Sequence, residues 1–505
     1  MIAGNRLLRR LGAGLLWLTL ALAALGMVLH PGGGYAWASY FDSWLVRVIW
    51  FSIYQALLSA TLSLLLAWPF AWALSQTPFR GQWLLAAFLN LAFILPVLAV
   101  VLGVVSLFGQ NGWVTLPGTV YGLPGILLAH VALNLPFATR LLWDRLSQIP
   151  DHQKRLAEVL GMGLRHRLRW LEWPLIRMAS GPVFVLIALL CFSSFTVILT
   201  LGGGPANTNL EVAVYQALKY EFDSRAAMLY AVLHGALALT AIGALGQGGL
   251  LNMEAAVRQP RGGQRGPSPL QWCAILGLLA LLLSPYAALL DRALQADWHW
   301  PARLPDALRT SLGIAVFSSV CAVLLALSRC LPGAVRTRRS RWLDFGVLVI
   351  PAMVLTTGLF LLCLRLGWAR EATWPLIIWV NALMAMPLIL QPLKARIQAA
   401  HSQYHRLTRV LGMRTWPVLR LVYWPLVRPV MLWALALSAV LSLGDMGVAA
   451  LVGQVDFVTL PLLIYQSMGS YQMTLAAQMM VVLLALCASL LLLAEWARGR
   501  YRAGR

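Results

Sequence analysis

Negative charge is the scarcest commodity in this sequence. Asp and Glu number 17 in 505 residues against 39 Lys and Arg, and charged residues of both signs make up 11% of the chain. That excludes an ordinary soluble globular protein, in which roughly a quarter of the residues are charged. Lysine is nearly missing. Lys154, Lys219 and Lys394 are the whole complement, and none completes a G-x-x-x-x-G-K-[ST] loop, so the chain cannot cradle a nucleotide phosphate in that way. Cys191, Cys273, Cys321, Cys330, Cys363 and Cys487 are scattered through or beside apolar runs with no C-x-x-C pair, which reads as core packing and not as a redox or metal site. No group of His, Cys and carboxylates has metal-ligand or acid–base spacing. No catalytic residue, no metal and no cofactor bound by this chain is expected.

What the chain has instead is hydrophobicity, with 60% of its residues apolar. A bilayer core needs roughly 20 apolar residues per helical crossing. About twelve stretches qualify: 11-29, 48-74, 83-108, 122-143, 179-201, 226-250, 270-290, 307-328, 342-364, 373-392, 429-452 and 474-494. The expected fold is therefore an all-α polytopic membrane protein. The first stretch follows Arg6, Arg9 and Arg10 as a signal peptide would, but no small-residue cleavage site follows it, so it reads as a retained anchor. The basic residues form no single patch, which excludes a nucleic-acid binder. With a cytoplasmic N-terminus, most of them fall in the inner connections, as the positive-inside rule requires, and both termini lie in the cytoplasm.

Two segments repeat. "EVLGMGLRHRLRWLEWPLI" begins at Glu158 and "RVLGMRTWPVLRLVYWPLV" at Arg409, with Gly161 and Gly412, Trp173 and Trp424, Pro174 and Pro425 in register. The register extends upstream to Pro136 and Pro387, and, with slightly different gaps, to Pro96 and Pro351. Downstream, "VYQAL" at Val214 answers "IYQSM" at Ile464. The chain thus divides into a first repeat over 1-251, a Gly-, Pro- and Arg-rich cytoplasmic linker over 252-269 and a second repeat over 270-505. An even number of spans separates the copies, so the halves are parallel. Internal repeats in membrane proteins build pathways between them.

Each repeated segment lies in the longest inner loop of its half. Leu156, Val159 and Leu160, and again Leu407, Val410 and Leu411, recur at helical spacing before the glycine, which supplies a helix stop. Each loop therefore presents a short amphipathic helix, a knob for a groove in another protein. A helix lying on anionic lipid headgroups is the competing reading, but it does not require the same Gly and Trp-Pro spacing twice.

The two segments resemble the cytoplasmic "EAA" loop of the permease subunits of ATP-binding cassette importers, whose pattern runs Glu-Ala-Ala, three residues, Gly, nine residues, Ile, one residue, Leu-Pro. Here stand Arg155-Leu156-Ala157, Gly161, Leu171 and Trp173-Pro174, then Arg406-Leu407-Thr408, Gly412, Val422 and Trp424-Pro425. Gly and Pro keep the family spacing; Arg155 and Arg406 replace the Glu, and Trp replaces the Leu. Within the family the chain is most similar to the fused two-half permeases of thiamine and thiamine pyrophosphate importers, through the stretches 125-142, 201-229 and 441-471. The resemblance implies two parallel six-helix type I permease repeats in a bacterial inner membrane, with the family's two outside partners. These are a cytoplasmic ATPase dimer that uses ATP and docks one protomer on each loop, and a periplasmic binding protein that delivers the small-molecule substrate. It makes Arg155, Ala157, Gly161, Pro174, Arg406, Gly412 and Pro425 the ATPase-coupling residues. Fused iron(III) permeases share the general plan. A proton-coupled secondary transporter also has two six-span halves, but its long central loop is missing here, and the connection 75-82 is short.

Polar residues inside spans mark the candidate pathway. Asp445 in "LSLGDMGVAALVG" is the sharpest, because an acid within a span faces water or the protein interior; it could attract a cationic ring, and a hydrogen-bonded gate residue or helix pin is its alternative role. Its counterpart in the first half is Ser194. His130 and Asn134, four residues apart, share one helix face; interhelical hydrogen bonding is the alternative role for both. The outer segments 202-209 and 453-461 are Gly-rich and polar, and are weaker candidates for binding-protein contact.

Overall fold

The computed structural model describes residues 2–28, 40–115, 118–244, 266–330, 350–413, 415–454 and 456–503. Among them every regular element is helical. The linker 252-269 lies almost wholly outside the described residues, as does the first part of the span expected at 342-364.

The helices are α1 (Ile2–Val28), α2 (Ser43–Ser75), α3 (Gln82–Ile94), α4 (Val97–Phe108), α5 (Leu123–Leu146), α6 (Asp151–Val159), α7 (Leu164–Arg167), α8 (Trp173–Phe192), α9 (Phe195–Leu201), α10 (Leu210–Lys219) and α11 (Ser224–Ala244) in the first half. The second half contributes α12 (Pro269–Leu294), α13 (Leu304–Cys330), α14 (Ala352–Arg365), α15 (Thr373–Val410), α16 (Thr415–Val418), α17 (Trp424–Leu443), α18 (Gly447–Val452), α19 (Leu460–Gly469) and α20 (Met473–Ala503). Among the described residues, nine helices are long and apolar enough to cross a membrane, and α3 with α4, bent by 95°, supplies a tenth. Together with α11 and the shorter α14 they lie in the described parts of the twelve stretches expected from hydropathy.

Several details differ from a row of plain spans, and each has a local cause. Pro96 and Pro351 stand immediately before α4 and α14 as their N-caps, where a missing N–H costs nothing. Pro69, Pro136 and Pro387 instead lie inside continuous helices. The stretches 179-201 and 429-452 are not single helices. The first breaks at Ser193 and Ser194, between α8 and α9, and the second at residues 444–446, between α17 and α18. Small polar residues at both breaks offer the backbone other hydrogen-bond partners than the helix.

The chain forms two compact units: Trp37–Val212 with Ala236–Arg292, and Met1–Ala36 with Ala213–Gly235 and Ala293–Arg505. In the former, α2 packs on α5 and α8, and α12 joins them. A Cβ at Gly103 of α4 would lie 2.7 Å from the Pro285 carbonyl of α12, so only glycine permits this approach. In the other unit, α1 lies along α14 and α13, and a Cβ at Gly26 would run into the Gly358 carbonyl. Each unit therefore contains the opening span of the other sequence half, and packing does not follow the repeat boundary.

Candidate functional site

The two repeated loops show the repeat in atomic detail. In the first, α6 closes through Leu160 N–H to Leu156 C=O at 2.9 Å and Met162 N–H to Ala157 C=O at 2.9 Å. In the second, Leu411 N–H meets Leu407 C=O at 3.0 Å and Met413 N–H meets Thr408 C=O at 3.1 Å. Between these bonds Gly161 has φ +63° and Gly412 φ +59°, the left-handed turn that closes a helix and favours glycine. Open space surrounds both glycines. Their requirement is thus conformational and not steric.

The apolar residues ahead of each glycine face outward. Leu156, Val159 and Leu160 are 57%, 84% and 67% exposed, and Leu407, Val410 and Leu411 are 53%, 84% and 63% exposed. Surface hydrophobes scattered singly need no explanation, but here the same exposed triplet is built twice. Arg155 and Arg406 are exposed beside the triplets, while Ala157 is buried beneath its own.

One expectation needs correction. The second loop helix is not separate: α15 runs unbroken from Thr373 to Val410, whereas α5 ends at Leu146 and α6 begins anew at Asp151. The reason is Pro150, which caps α6 and has no N–H to continue α5; the repeat places His401 at that position.

Trp173-Pro174 and Trp424-Pro425 open α8 and α17, but the sequence reading missed the wide turn that precedes them. Residues Leu168–Glu172 and Leu419–Tyr423 are wide π turns leading directly into α8 and α17, and the Trp173 N–H reaches back to the Leu168 carbonyl. Pro174 and Pro425 follow. A proline there cannot bond to the residue four back and crowds its carbonyl, so the turn widens. Proline without a boundary signal is the clue that could have revealed this.

The turns are anchored differently. Buried Glu172 accepts from Trp72 Nε1 at 2.5 Å and from Arg167 Nε at 3.1 Å, while Arg167 also reaches the Gln76 side chain. Lys154 donates to the Ser75 carbonyl at 3.2 Å. The first loop is thus tied to the end of α2. In the second loop the equivalent of Glu172 is Tyr423, whose hydroxyl pairs with His401 Nδ1 at 2.8 Å. Glu172→Ala removes the charge-assisted hydrogen bonds from the half-buried Trp72 and from Arg167 and is expected to cost about 1.5–3 kcal/mol, read as a lower melting temperature of the purified protein in detergent; unchanged melting would refute the anchoring role.

Deeper in each half lies a polar cluster at the helix break. In the first, His130 joins two hydroxyls, Nδ1 to Ser59 and Nε2 to Ser194, each at 2.9 Å. Asn134 donates to the His130 carbonyl at 2.8 Å and to Cys191 Sγ at 3.3 Å. Asn209 donates to the Ser194 carbonyl at 3.2 Å and accepts the Val212 N–H at 2.9 Å. The structure therefore brings His130, Asn134 and Ser194 together, with every ring nitrogen of the histidine satisfied.

The second half carries the same positions with other chemistry. The repeat offset turns His130 into Asn381, Ser194 into Asp445 and Asn134 into apolar Ala385. Asn381 donates to Ser442 Oγ at 3.0 Å and also hydrogen-bonds Asp445, whose carboxylate meets the backbone N–H groups of Gly447, Val448 and Ala449 at the start of α18. Asp445 Oδ2 is buried with no hydrogen-bond partner, and so is Thr459 Oγ1. Both line one small cavity of about 10 Å³ with Ser311, Asn381 and Ser442, room for about one water. Ser59, Asn381 and Thr459 went unnoticed in the sequence, although shifting His130 by the offset points straight to Asn381.

The outer helices are held alike in both halves. Ser52 Oγ accepts the Leu210 N–H at 3.0 Å, and Ser311 Oγ accepts the Leu460 N–H at 2.8 Å, each satisfying a donor left over at a helix start.

A family model described as binding-protein-dependent transport system inner membrane component matches residues 318–503. Over most of its length the chain is similar to proteins named thiamine transport system permease protein ThiP. It is 35% identical to that of Haemophilus influenzae over 494 residues, 92% of this chain and 91% of the relative. Identity reaches 37% with the protein of Salmonella typhimurium over 518 residues, 97% and 96% of the two chains. It is also 37% with that of Escherichia coli over 491 residues, 91% and 90% of the two chains.

Proposed function

The chain belongs to the thiamine transport system permeases within the binding-protein-dependent inner-membrane family, and from that premise we propose that it carries thiamine or thiamine pyrophosphate inward as the fused two-half permease of an ATP-binding cassette importer. A separate cytoplasmic ATPase dimer drives it, one protomer on each inner loop, and a periplasmic binding protein supplies the cargo. Both termini lie in the cytoplasm. The two permease repeats are 1-251 and 270-505, joined by the linker 252-269.

The observation that carries this reading is the pair of matched loop knobs. Two outward-facing apolar triplets, closed by left-handed glycines and rooted through π turns in α8 and α17, suit a partner that offers two copies of one groove. Burying each Leu or Val of a triplet is worth roughly 1.5–3 kcal/mol, enough for six of them to hold a motor subunit. When the ATPase protomers close, the loops approach each other and α8 and α17 turn with them, because α7 and α16 lead through their π turns directly into those spans. Movement of those spans displaces α9 and α18 across the breaks at Ser194 and Asp445. His130, Asn134, Ser194 and Asp445 then lie on the pathway, with Asp445 the charge that attracts a cationic ring. ATP is consumed by the partner, and hydrolysis resets the loops.

The test is radiolabelled thiamine uptake in cells with and without this gene, alongside co-purification of the ATPase. Uptake that depends on the gene and on ATP is expected. Equal uptake without the gene would refute the cargo, and proton-driven accumulation by the chain alone in vesicles would refute the motor.

A further inference from the structure

The polar clusters at the two helix breaks occupy equivalent positions but differ in what their side chains reach. Asn381 stands for His130 and is shorter by the far side of the imidazole ring; Thr459, directly before Leu460, stands for Asn209 before Leu210 and is shorter again. The difference shows in the partners. Ser59 lies two helical turns beyond Ser52, the serine that holds Leu210, and its hydroxyl meets His130 Nδ1 at 2.9 Å. Ser318 lies as far beyond Ser311, the serine that holds Leu460, and its buried hydroxyl finds no hydrogen-bond partner. Asn209 bonds both the Ser194 carbonyl and the Val212 N–H, whereas Thr459 Oγ1 is buried without a partner.

The shorter side chains border the cavity of about 10 Å³ lined by Ser311, Asn381, Ser442, Asp445 and Thr459, all in one compact unit. Two atoms at this cavity, Asp445 Oδ2 and Thr459 Oγ1, are buried and unpaired, and Thr459 as a whole is 4% exposed. A space of that size takes about one water, provided that two to four polar groups hold it. The donors and acceptors match water in particular, since a carboxylate oxygen only accepts a hydrogen while a hydroxyl both donates and accepts. Water donates to Asp445 and accepts from Thr459. Ser311, whose oxygen takes the Leu460 N–H at 2.8 Å, keeps a hydrogen for the remaining lone pair. A metal ion would pair with lone pairs alone and leave those hydroxyl hydrogens without acceptors.

We propose that this cavity binds one water molecule, which bridges Asp445 Oδ2 and Thr459 Oγ1 and stands in the second half where the imidazole of His130 stands in the first. The two breaks are then fastened differently. A side chain that cannot leave holds the first, and a molecule that exchanges holds the second. A bridging water is enthalpically nearly as good as a direct hydrogen bond, yet it can be displaced, so the second break closes over its acid reversibly and the water leaves when the break opens to a cation. That release role rests on the reading of the chain as a thiamine permease; the water itself does not.

The water is tested on the unchanged chain, in complex with its ATPase, by a density map sharp enough to show buried waters elsewhere. A peak about 2.5–3.0 Å from both Asp445 Oδ2 and Thr459 Oγ1 is expected. No peak there, or several oxygens drawn markedly closer around it as around a metal ion, overturns the proposal. Asn381→His puts the first-half ring into the second half, placed to meet Ser318 as His130 meets Ser59. It is expected to remove the peak, to melt no lower than the unchanged chain and to reduce thiamine uptake by the reconstituted importer about tenfold or more. If that variant does not assemble, Asn381→Gln, which extends the amide by one methylene toward the cavity, decides in the same direction. Uptake at the unchanged rate with the peak gone overturns the release role. An unchanged importer that moves no thiamine overturns the cargo reading and the release role together, and the map still decides the water.

Discussion

Replacing Val159 and Val410 together by glutamate is expected to abolish ATP-driven uptake and release the ATPase, while the chain still inserts into the membrane. Both side chains are 84% exposed, so the substitution disturbs nothing inside this protein, and surface changes of that kind stay within about 0.5 kcal/mol of stability. In a partner's groove the same change withdraws two apolar anchors and buries two unpaired charges, each costing several kcal/mol. Every 1.4 kcal/mol is a factor of about ten in affinity, so even one such charge per loop should take association below detection. Either single substitution should leave one loop engaged, with weakened ATPase retention and severely reduced uptake. The measurement is affinity co-purification of the ATPase with the tagged permease, beside uptake in the same membranes. A double variant that retains its motor and transports normally would show that the triplets face lipid and not protein.

The second large effect is expected at Asp445. Asp445→Asn preserves shape and the contact with Asn381 but removes the charge, and uptake should fall about tenfold or more with the ATPase still bound. The carboxylate is held by the N–H groups that open α18, and its Oδ2 is left without a partner in a cavity too small for cargo. Leaving a buried acceptor unsatisfied costs about 1–3 kcal/mol or more for a charged group, and opening of the break would let a cation supply what is missing. Ser194→Ala at the equivalent position removes only one of the two hydroxyl partners of His130 and should cost far less uptake. Equal, mild effects at 194 and 445 would mean that the break in the second half acts as a structural pin without a role for its charge.

These two predictions draw on different amounts of sequence. The apolar triplets, the glycine stop and the fixed distance to Trp-Pro are local features: a helix of that period with a glycine behind it closes the same way wherever it is placed. Gly161 and Gly412 could therefore be assigned from spelling alone. Asp445 stood out because acids are rare in apolar runs, and its pairing with Ser194 came from the repeat. Thr459 carries no such flag and Asn381 only the repeat offset from His130, since an isolated amide or hydroxyl within a span is common and its partners come from elements far away in the chain.

By itself, the sequence determined the all-helical membrane class, the twelve apolar stretches, the duplication and the position of both loop knobs. Each of these depends on solvent preference or on residues within a turn or two of one another. Only the tertiary structure decided that opening spans are exchanged between compact units, that the fifth and eleventh spans break at polar residues, and that a polar cluster gathers at each break. Those outcomes depend on which surfaces touch across hundreds of residues, where close approaches such as Gly103 to Pro285 and Gly26 to Gly358 are selected by shape, and shape complementarity leaves no periodic trace in the order of amino acids.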